Sequence, residues 1–351
     1  MLVNLEISHA TFHTSGDVQS AIKAICAVHP DIAHYHELGT SEEGRLLYAV
    51  TLGKGPLKAS LIAGSHADEP VGPETLRLLI VKSLENRKML QELFSQVQFI
   101  IIPHINPDGE AKNWRWIENW PCFESYLKYA FREPPGRDLE FGYPQMRHEN
   151  TLVSDFLDQY RPFSLHMSLH GMAFSDGILL LIEKNWVDRT RKLRSQFAEY
   201  VNNLRIQLHD HDRKGEKGFY YIGPGFSTTP EGHAMREYFV SIGDKQTAAM
   251  FHDSSMEYVR IRGNDTLCLV TEIPLFLIRK KPLKKLQGIP GIYLDFKAKI
   301  PDMRKKLTQN EPIKEILEAF NLQPLDVDTQ VKLQLFAIQS GLQLVLPMAQ
   351  L

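Results

Sequence analysis

Four apolar runs in this chain are each followed by residues able to do chemistry. LKASLIAGS (57–65) leads into His66-Ala67-Asp68-Glu69, VQFIIIPHI (97–105) into Asn106-Pro107-Asp108-Gly109, FSLHMSL (163–169) into His170-Gly171, and TLCLVT (266–271) into Glu272. Ligands of open α/β sheets bind beyond the carboxyl ends of the strands. If these runs are neighbouring strands, they deliver two histidines, two glutamates and a turn to one edge of a sheet. That set suits a catalytic zinc, which takes three His or carboxylate ligands and leaves one position for water. His66 and Glu69 are close enough for one turn to aim both at one ion, and His170 would reach it from another strand. Water on such a metal is acidified, and Glu272 stands ready as the general base that accepts its proton. An arginine would then stabilise the oxyanion of a tetrahedral intermediate.

Other residues near these runs have blander readings. Asp68 lies between the two ligands, but Glu69 has the better spacing and reach. His166 shares a strand face with His170 and, like His104, reads first as a satisfied core histidine. His209, Asp210 and His211 resemble a second metal cluster but lack a well-spaced third ligand, so they read as a polar loop near the site mouth.

The elements that must position these groups alternate. A helix is expected over 18–28, stopped by Pro30, then two short strands around a polar turn at 41–44, the strand 57–65 and a helix from about Pro73 through PETLRLLIVKSLENRKMLQEL. The run 97–105 is apolar throughout, as in a parallel sheet buried on both faces. Residues 106–144 show no period and read as a long loop with short elements. A helix near 148–160, strands at FSLHMSLH and GILLLIE, a helix through VDRTRKLRSQFAEYVNNL, a Gly-rich charged loop 209–230, a helix over 231–240 and the strand TLCLVTEI complete the pattern. The class is α/β, with a central mixed, mostly parallel sheet flanked by helices. After Phe276 the character changes. Residues 1–276 read as the catalytic domain and 277–351 as a mainly helical C-terminal extension, whose basic start IRKKPLKKLQGIPG reads as a solvated linker rather than a binding patch.

Composition narrows the function. The 351 residues are 43% hydrophobic and 23% charged, as expected of a globular protein with a sizeable core. A formal charge of −2 and a pI near 6.7 argue against nucleic acid or an anionic membrane as partner. No run reaches the length of a membrane span, and the N-terminus lacks the pattern of a secretory signal. Cys26, Cys122 and Cys268 are odd in number and far apart, which fits reduced thiols and a cytoplasmic location.

The pieces LGTSEEGRLLYAVTLG, GSHADEP, IPHINPDG, SLHG and VTEIP occur in the order found in the zinc metallocarboxypeptidases, and over about 18–276 the chain resembles that carboxypeptidase A-like family. The resemblance implies one zinc per chain and hydrolysis of a C-terminal amide bond of a peptide. His66, Glu69 and His170 match the family's ligands, and Glu272 matches its base. It implies, too, an enzyme made active, since no inhibitory prosegment is evident before the pattern. The family's Asn-Arg pair for the substrate carboxylate is missing, because GRDLEFGYP places Glu140-Phe141 there. Arg137 is the candidate to take over that carboxylate, Arg115 the candidate to polarise the scissile carbonyl, and Arg147 a third possibility for substrate binding. No tyrosine matches the family's mobile one; Tyr220, Tyr221 and Tyr258 are replacements by position only. If the SMEY segment matches the family's pocket, Met256 and Tyr258 would line it, with Glu257 a selector for basic residues. The alternative to a peptidase is a deacylase of N-acyl amino acids or related small amides, of the aspartoacylase and succinylglutamate desuccinylase kind. A non-catalytic binding module would be expected to have lost a ligand or the base, and all four are present.

Overall fold

The computed structural model of the protein describes residues 2–261, 263, 265–280 and 288–346. Among these, ten strands form one sheet: β1 (Ala33–Thr40), β2 (Leu46–Leu52), β3 (Leu57–Ala63), β4 (Val97–Ile102), β5 (Leu165–Ser175), β6 (Leu179–Ile182), β7 (Tyr221–Gly223), β8 (Phe226–Thr228), β9 (Leu267–Ile278) and β10 (Leu322–Pro324). Their order is β1-β2-β4-β3-β5-β9-β6-β8-β7, with β10 added to β9. The centre, β4-β3-β5-β9, is parallel. β1 and β2 extend it antiparallel on one side, and β6 joins antiparallel on the other. The fold is the mixed α/β sheet that the alternating pattern predicts. The helices are α1 (Ser15–Val28), α2 (Val71–Glu85), α3 (Gln91–Gln96), α4 (Pro107–Ile117), α5 (Phe123–Tyr129), α6 (His148–Asp158), α7 (Arg191–Asn203), α8 (Gly232–Ser241), α9 (Lys245–Ala248), α10 (Ser255–Arg260), α11 (Gly291–Thr308), α12 (Lys314–Ala319) and α13 (Val327–Val345).

The apolar run of β4 is explained by burial on both faces. Val97, Phe99 and Ile101 enter the larger core, while Ile100 and Ile102 enter a second core on the opposite side. β5 and β9 split the same way, so that His166, Ser168 and His170 alternate with Leu165, Met167 and Leu169.

Three stretches depart from expectation, one of them the loop expected over 209–230, which holds β7 and β8. The single helix foreseen from Pro73 onward is two, α2 and α3, separated by a turn at 86–90 in which Met89 and Leu90 both bond back to the Asn86 carbonyl. Residues 106–144 hold two real helices, α4 and α5. Asn106 caps α4 by accepting the Gly109 N–H at 3.0 Å, and Pro107 occupies its first turn. Its period is hidden in the sequence because it buries Asp108, Glu110 and Asn113.

The boundary expected after Phe276 falls inside β9, which continues to Ile278. Beyond it, β10 pairs with residues 276–278 of β9. α13 packs against α2, β5, β9 and α7, burying Val331, Leu333, Leu335, Ile338 and Leu342 in the larger core. The basic stretch 281–287 lies outside the described residues.

Candidate metal centre and active site

The turn between β3 and α2 carries the first two candidate ligands. Gly64, at φ +77°, makes this bend; a side chain there would strike the His104 ring. The Glu69 N–H bonds to the His66 carbonyl at 3.2 Å, closing the turn that aims both side chains the same way. His170 was expected at a strand end. It lies mid-strand instead, because β5 runs on to Ser175, and it is the register partner of Glu272 on β9. Parallel pairing thus places ligand and base side by side on one face.

The three candidate ligands converge. His66 Nδ1 lies 3.1 Å from Glu69 Oε1, His170 Nδ1 lies 2.9 Å from Glu69 Oε2, and the two Nδ1 atoms are 3.1 Å apart. Ligand atoms about 2.0–2.1 Å from a tetrahedral zinc lie roughly 3.3 Å from one another, so this donor set fits the ion. The charges fit as well. Burial opposes protonation of both imidazoles, but Glu69 and the carboxylates behind them prevail, holding His66 well above its usual value and His170 at about 10. Glu69 is correspondingly held well below the usual carboxylate range, despite burial, by Arg132, His66 and His170. The pocket therefore calls for positive charge at the point where the three donors meet. Burial and the nearby Glu69 carboxylate push Glu272 up to about 7, a range suited to receiving and releasing a proton.

Each histidine has a carboxylate behind it. Asp138 accepts from His66 Nε2 at 3.3 Å, and Glu140 from His170 Nε2 at 3.0 Å. On the solvent side, Arg132 bonds to Asp68 at 2.8 Å and also to Glu69, while the Tyr126 hydroxyl donates to Asp68 at 3.2 Å. These groups line an open cavity of about 410 Å³ together with Gly171, Met172, Phe174, Glu272, Tyr293 and Arg304. Tyr293 and Arg304 come from α11, beyond the residues 1–276 expected to form the catalytic domain. His209 bonds to Asp176 and His211, and both rings pack against Tyr293 at 5.1 and 5.8 Å. The two histidines thus brace the pocket wall, while Asp210 accepts from the Tyr221 hydroxyl at 2.6 Å.

The remaining sequence candidates lie elsewhere. Arg115 stacks on Tyr129 with its guanidinium carbon 3.7 Å from the ring centre. Arg137 pairs with Glu42 at the surface, and Arg147 is buried against Glu149 at 2.9 Å. Met256 fills the second core, and Tyr258, stacked under Arg161, donates to Asp158 at 2.9 Å. None of these five lines the cavity. The arginines that do are Arg132 and Arg304. Arg132 carries no sequence signal, because its partners Asp68 and Glu69 lie more than sixty residues away in the chain. His104 is a core histidine, lowered to about 4 by burial. Among the described residues one further group, Glu231, His233 and Glu257, converges. Its carboxylates are already engaged by Lys184, Arg260 and the N–H groups of Gly232 and Ser254.

Among the described residues no helix is long and apolar enough to cross a membrane. Residues 18–175 match the family model described as zinc carboxypeptidase. Carboxypeptidase B of Astacus astacus is 23% identical over 207 residues, 57% of this chain and 61% of that one. An inactive metallocarboxypeptidase of Ajellomyces capsulatus is 31% identical over 207 residues, 55% of this chain and 31% of that one. The chain thus spans about three fifths of the first relative and less of the second. Carboxypeptidase A of Helicoverpa armigera superposes with a TM-score of 0.54 at 13% identity, covering 95% of this chain and 73% of that chain. Residues 18–175 thus match the zinc carboxypeptidase family, and the chain carries the carboxypeptidase A-like fold.

Proposed function

We propose that the protein is a zinc-dependent hydrolase that removes C-terminal residues from peptides, with His66, Glu69 and His170 as metal ligands and Glu272 as general base. The observation that carries this reading is the register pairing of His170 with Glu272, beside a turn that brings His66 and Glu69 within ligand spacing. Zinc held there supplies Lewis acidity for a carbonyl and for water. Glu272 takes the proton of the attacking water at a carboxylate oxygen and hands it to the leaving amine. Arg132 presents its guanidinium at the same cavity, held by Asp68, which also accepts from the Tyr126 hydroxyl, and replaces Arg115 as the group that stabilises the oxyanion. Tyr293 and Arg304 of α11 form the wall along which the substrate lies.

The test is mass-spectrometric release of C-terminal residues from a mixed peptide library, with and without a chelator. Chelator-sensitive loss of single residues is expected. Absence of trimming by protein with stoichiometric zinc would overturn the peptidase. The deacylase of small N-acyl amino acids would then take its place. A panel of acylated amino acids would test that reading directly.

Two substitutions probe the pocket. Arg132→Ala should lower kcat by roughly 10²–10³-fold, the usual cost of losing an oxyanion donor, while zinc stays bound. A change confined to KM would assign Arg132 to substrate binding alone. Among the described residues Arg304 has no ion-pair partner. Arg304→Ala should therefore raise KM for peptides with acidic residues near the scissile bond by about tenfold, an amount ordinary for one charge-assisted contact. Parallel KM changes for acidic and neutral peptides would remove that role.

A further inference from the structure

Glu140 is buried, 3% exposed, and receives hydrogen bonds at both carboxylate oxygens. Ser65 Oγ donates to Oε2 at 2.7 Å, Ser168 Oγ at 2.9 Å and His170 Nε2 at 3.0 Å, the last also lying 2.9 Å from the Ser168 Oγ that itself donates to Glu140. Ser255 donates to Oε1 through its hydroxyl at 2.7 Å and its backbone N–H at 3.3 Å. The carboxylate accepts from every neighbour, and this orders the proton directions around it. The Ser255 hydroxyl spends its proton on Glu140, so it accepts from His166 Nε2–H at 3.2 Å. His166 Nδ1 is then the acceptor of the Ser60 hydroxyl at 2.7 Å. Ser60, His166 and Ser255 form one chain of donors that ends on Glu140, and Ser65 and Ser168 close the other side. A carboxylate so surrounded has no lone pair left for substrate. Its contact toward the cavity is His170.

We infer that Glu140 is a positioning residue of the metal centre: it holds the Nε2 proton of His170 and so presents the Nδ1 lone pair toward Glu69 and His66. The inference rests on the reading that this triad binds zinc. A histidine ligand whose other nitrogen donates to a carboxylate is fixed in tautomer and ring orientation and is a stronger base. Asp138 does this for His66 from a partly solvated position, whereas Glu140 does it for His170 in a dry one. A hydrogen bond to a charged acceptor strengthens as water is excluded, so the His170 side is the firmer of the two. The role accounts for an ionisable residue at a position where burial would otherwise be costly. It also accounts for three serines placed one or two residues from His66, His170 and Met256 in sequence.

The experiment is zinc affinity by competition with a fluorescent chelator, on wild type, Glu140→Gln and His170→Ala, with melting of each metal-free protein alongside. Glu140→Gln should bind zinc 10–100-fold more weakly, the usual cost of losing such a partner, and His170→Ala should bind more weakly still. Wild-type affinity in a folded Glu140→Gln, with affinity lost in His170→Ala, would leave Glu140 a packing residue and overturn the inference. Failure of wild type to bind zinc would overturn the metal reading itself, and this inference with it. Proton NMR of the histidine Nε2–H in zinc-loaded wild type decides the matter even if Glu140→Gln does not fold. A far-downfield, slowly exchanging His170 Nε2–H is expected, as for a donor to a buried carboxylate, and a His170 Nε2–H at the shift of a donor to a neutral hydroxyl would overturn the proposal.

Discussion

Glu272→Gln should leave the protein folded and its zinc bound, and should lower kcat by roughly 10²–10⁴-fold, the contribution of a positioned general base. The substitution is close to isosteric and removes only the ability to accept a proton. Glu272 is not among the three converging donors, so zinc content should stay at one per chain. The side chain sits in the sheet centre beside His170, and its rise to about 7 comes from burial and from the Glu69 charge. A cation at the triad would pull it back toward the carboxylate range, keeping it a base at neutral pH. Turnover close to wild type, measured with metal content on the same sample, would remove Glu272 from that role. Loss of zinc together with activity would make it a ligand instead.

Ending the chain before α13 should abolish cooperative folding. The helix buries Val331, Leu333, Leu335, Ile338 and Leu342 against the sheet and α2. Fully burying side chains of this size contributes about 1.5–3 kcal/mol each, so five are worth about 7–15 kcal/mol. That matches the whole stability of an ordinary domain, about 5–15 kcal/mol. If 277–351 were a separable appendage, the same truncation would leave the melting temperature within a few degrees and the zinc in place. Differential scanning calorimetry of the chain ending at Leu325 distinguishes the two. Gln334 adds a specific link, because its Nε2 donates to the His170 carbonyl at 3.0 Å and to Thr271 Oγ1 at 3.0 Å. Gln334→Leu should fold but lose part of its zinc affinity.

The central strands β3, β4, β5 and β9 were legible because they are near-pure apolar runs followed by Gly, His or Glu, whereas β7, β8 and β10 are only three residues long and carry no such run. The four residues at the heart of the site were legible for the same reason, since each follows one of those runs. What was hidden lies where burial is polar. α4 conceals its period by burying Asp108, Glu110 and Asn113, and Glu140 reads from sequence as a missing Asn rather than as a buried partner of His170. Long-range pairs such as Arg132 with Asp68, or Tyr293 of α11 on the cavity wall, have no local pattern at all. Arg115, Arg137 and Arg147 were chosen by nearness in sequence, and tertiary partners claimed them: Tyr129, Glu42 and Glu149. Met256 and Tyr258 were taken by the second core in the same way.

The order of the chain also sets when the site can exist. β9 sits between β5 and β6, and both precede it by about ninety residues or more, so the sheet stays split until residues 267–278 have been made. The carbonyl of His170 then waits for Gln334, some sixty residues later. Domains form as units as the chain emerges during synthesis, and contacts this distant in sequence are slow to close. A ribosome carrying a half-made copy therefore displays His66 and Glu69 but no finished centre. The contacts that surround His170 are complete only once the helix at 327–345 has been made.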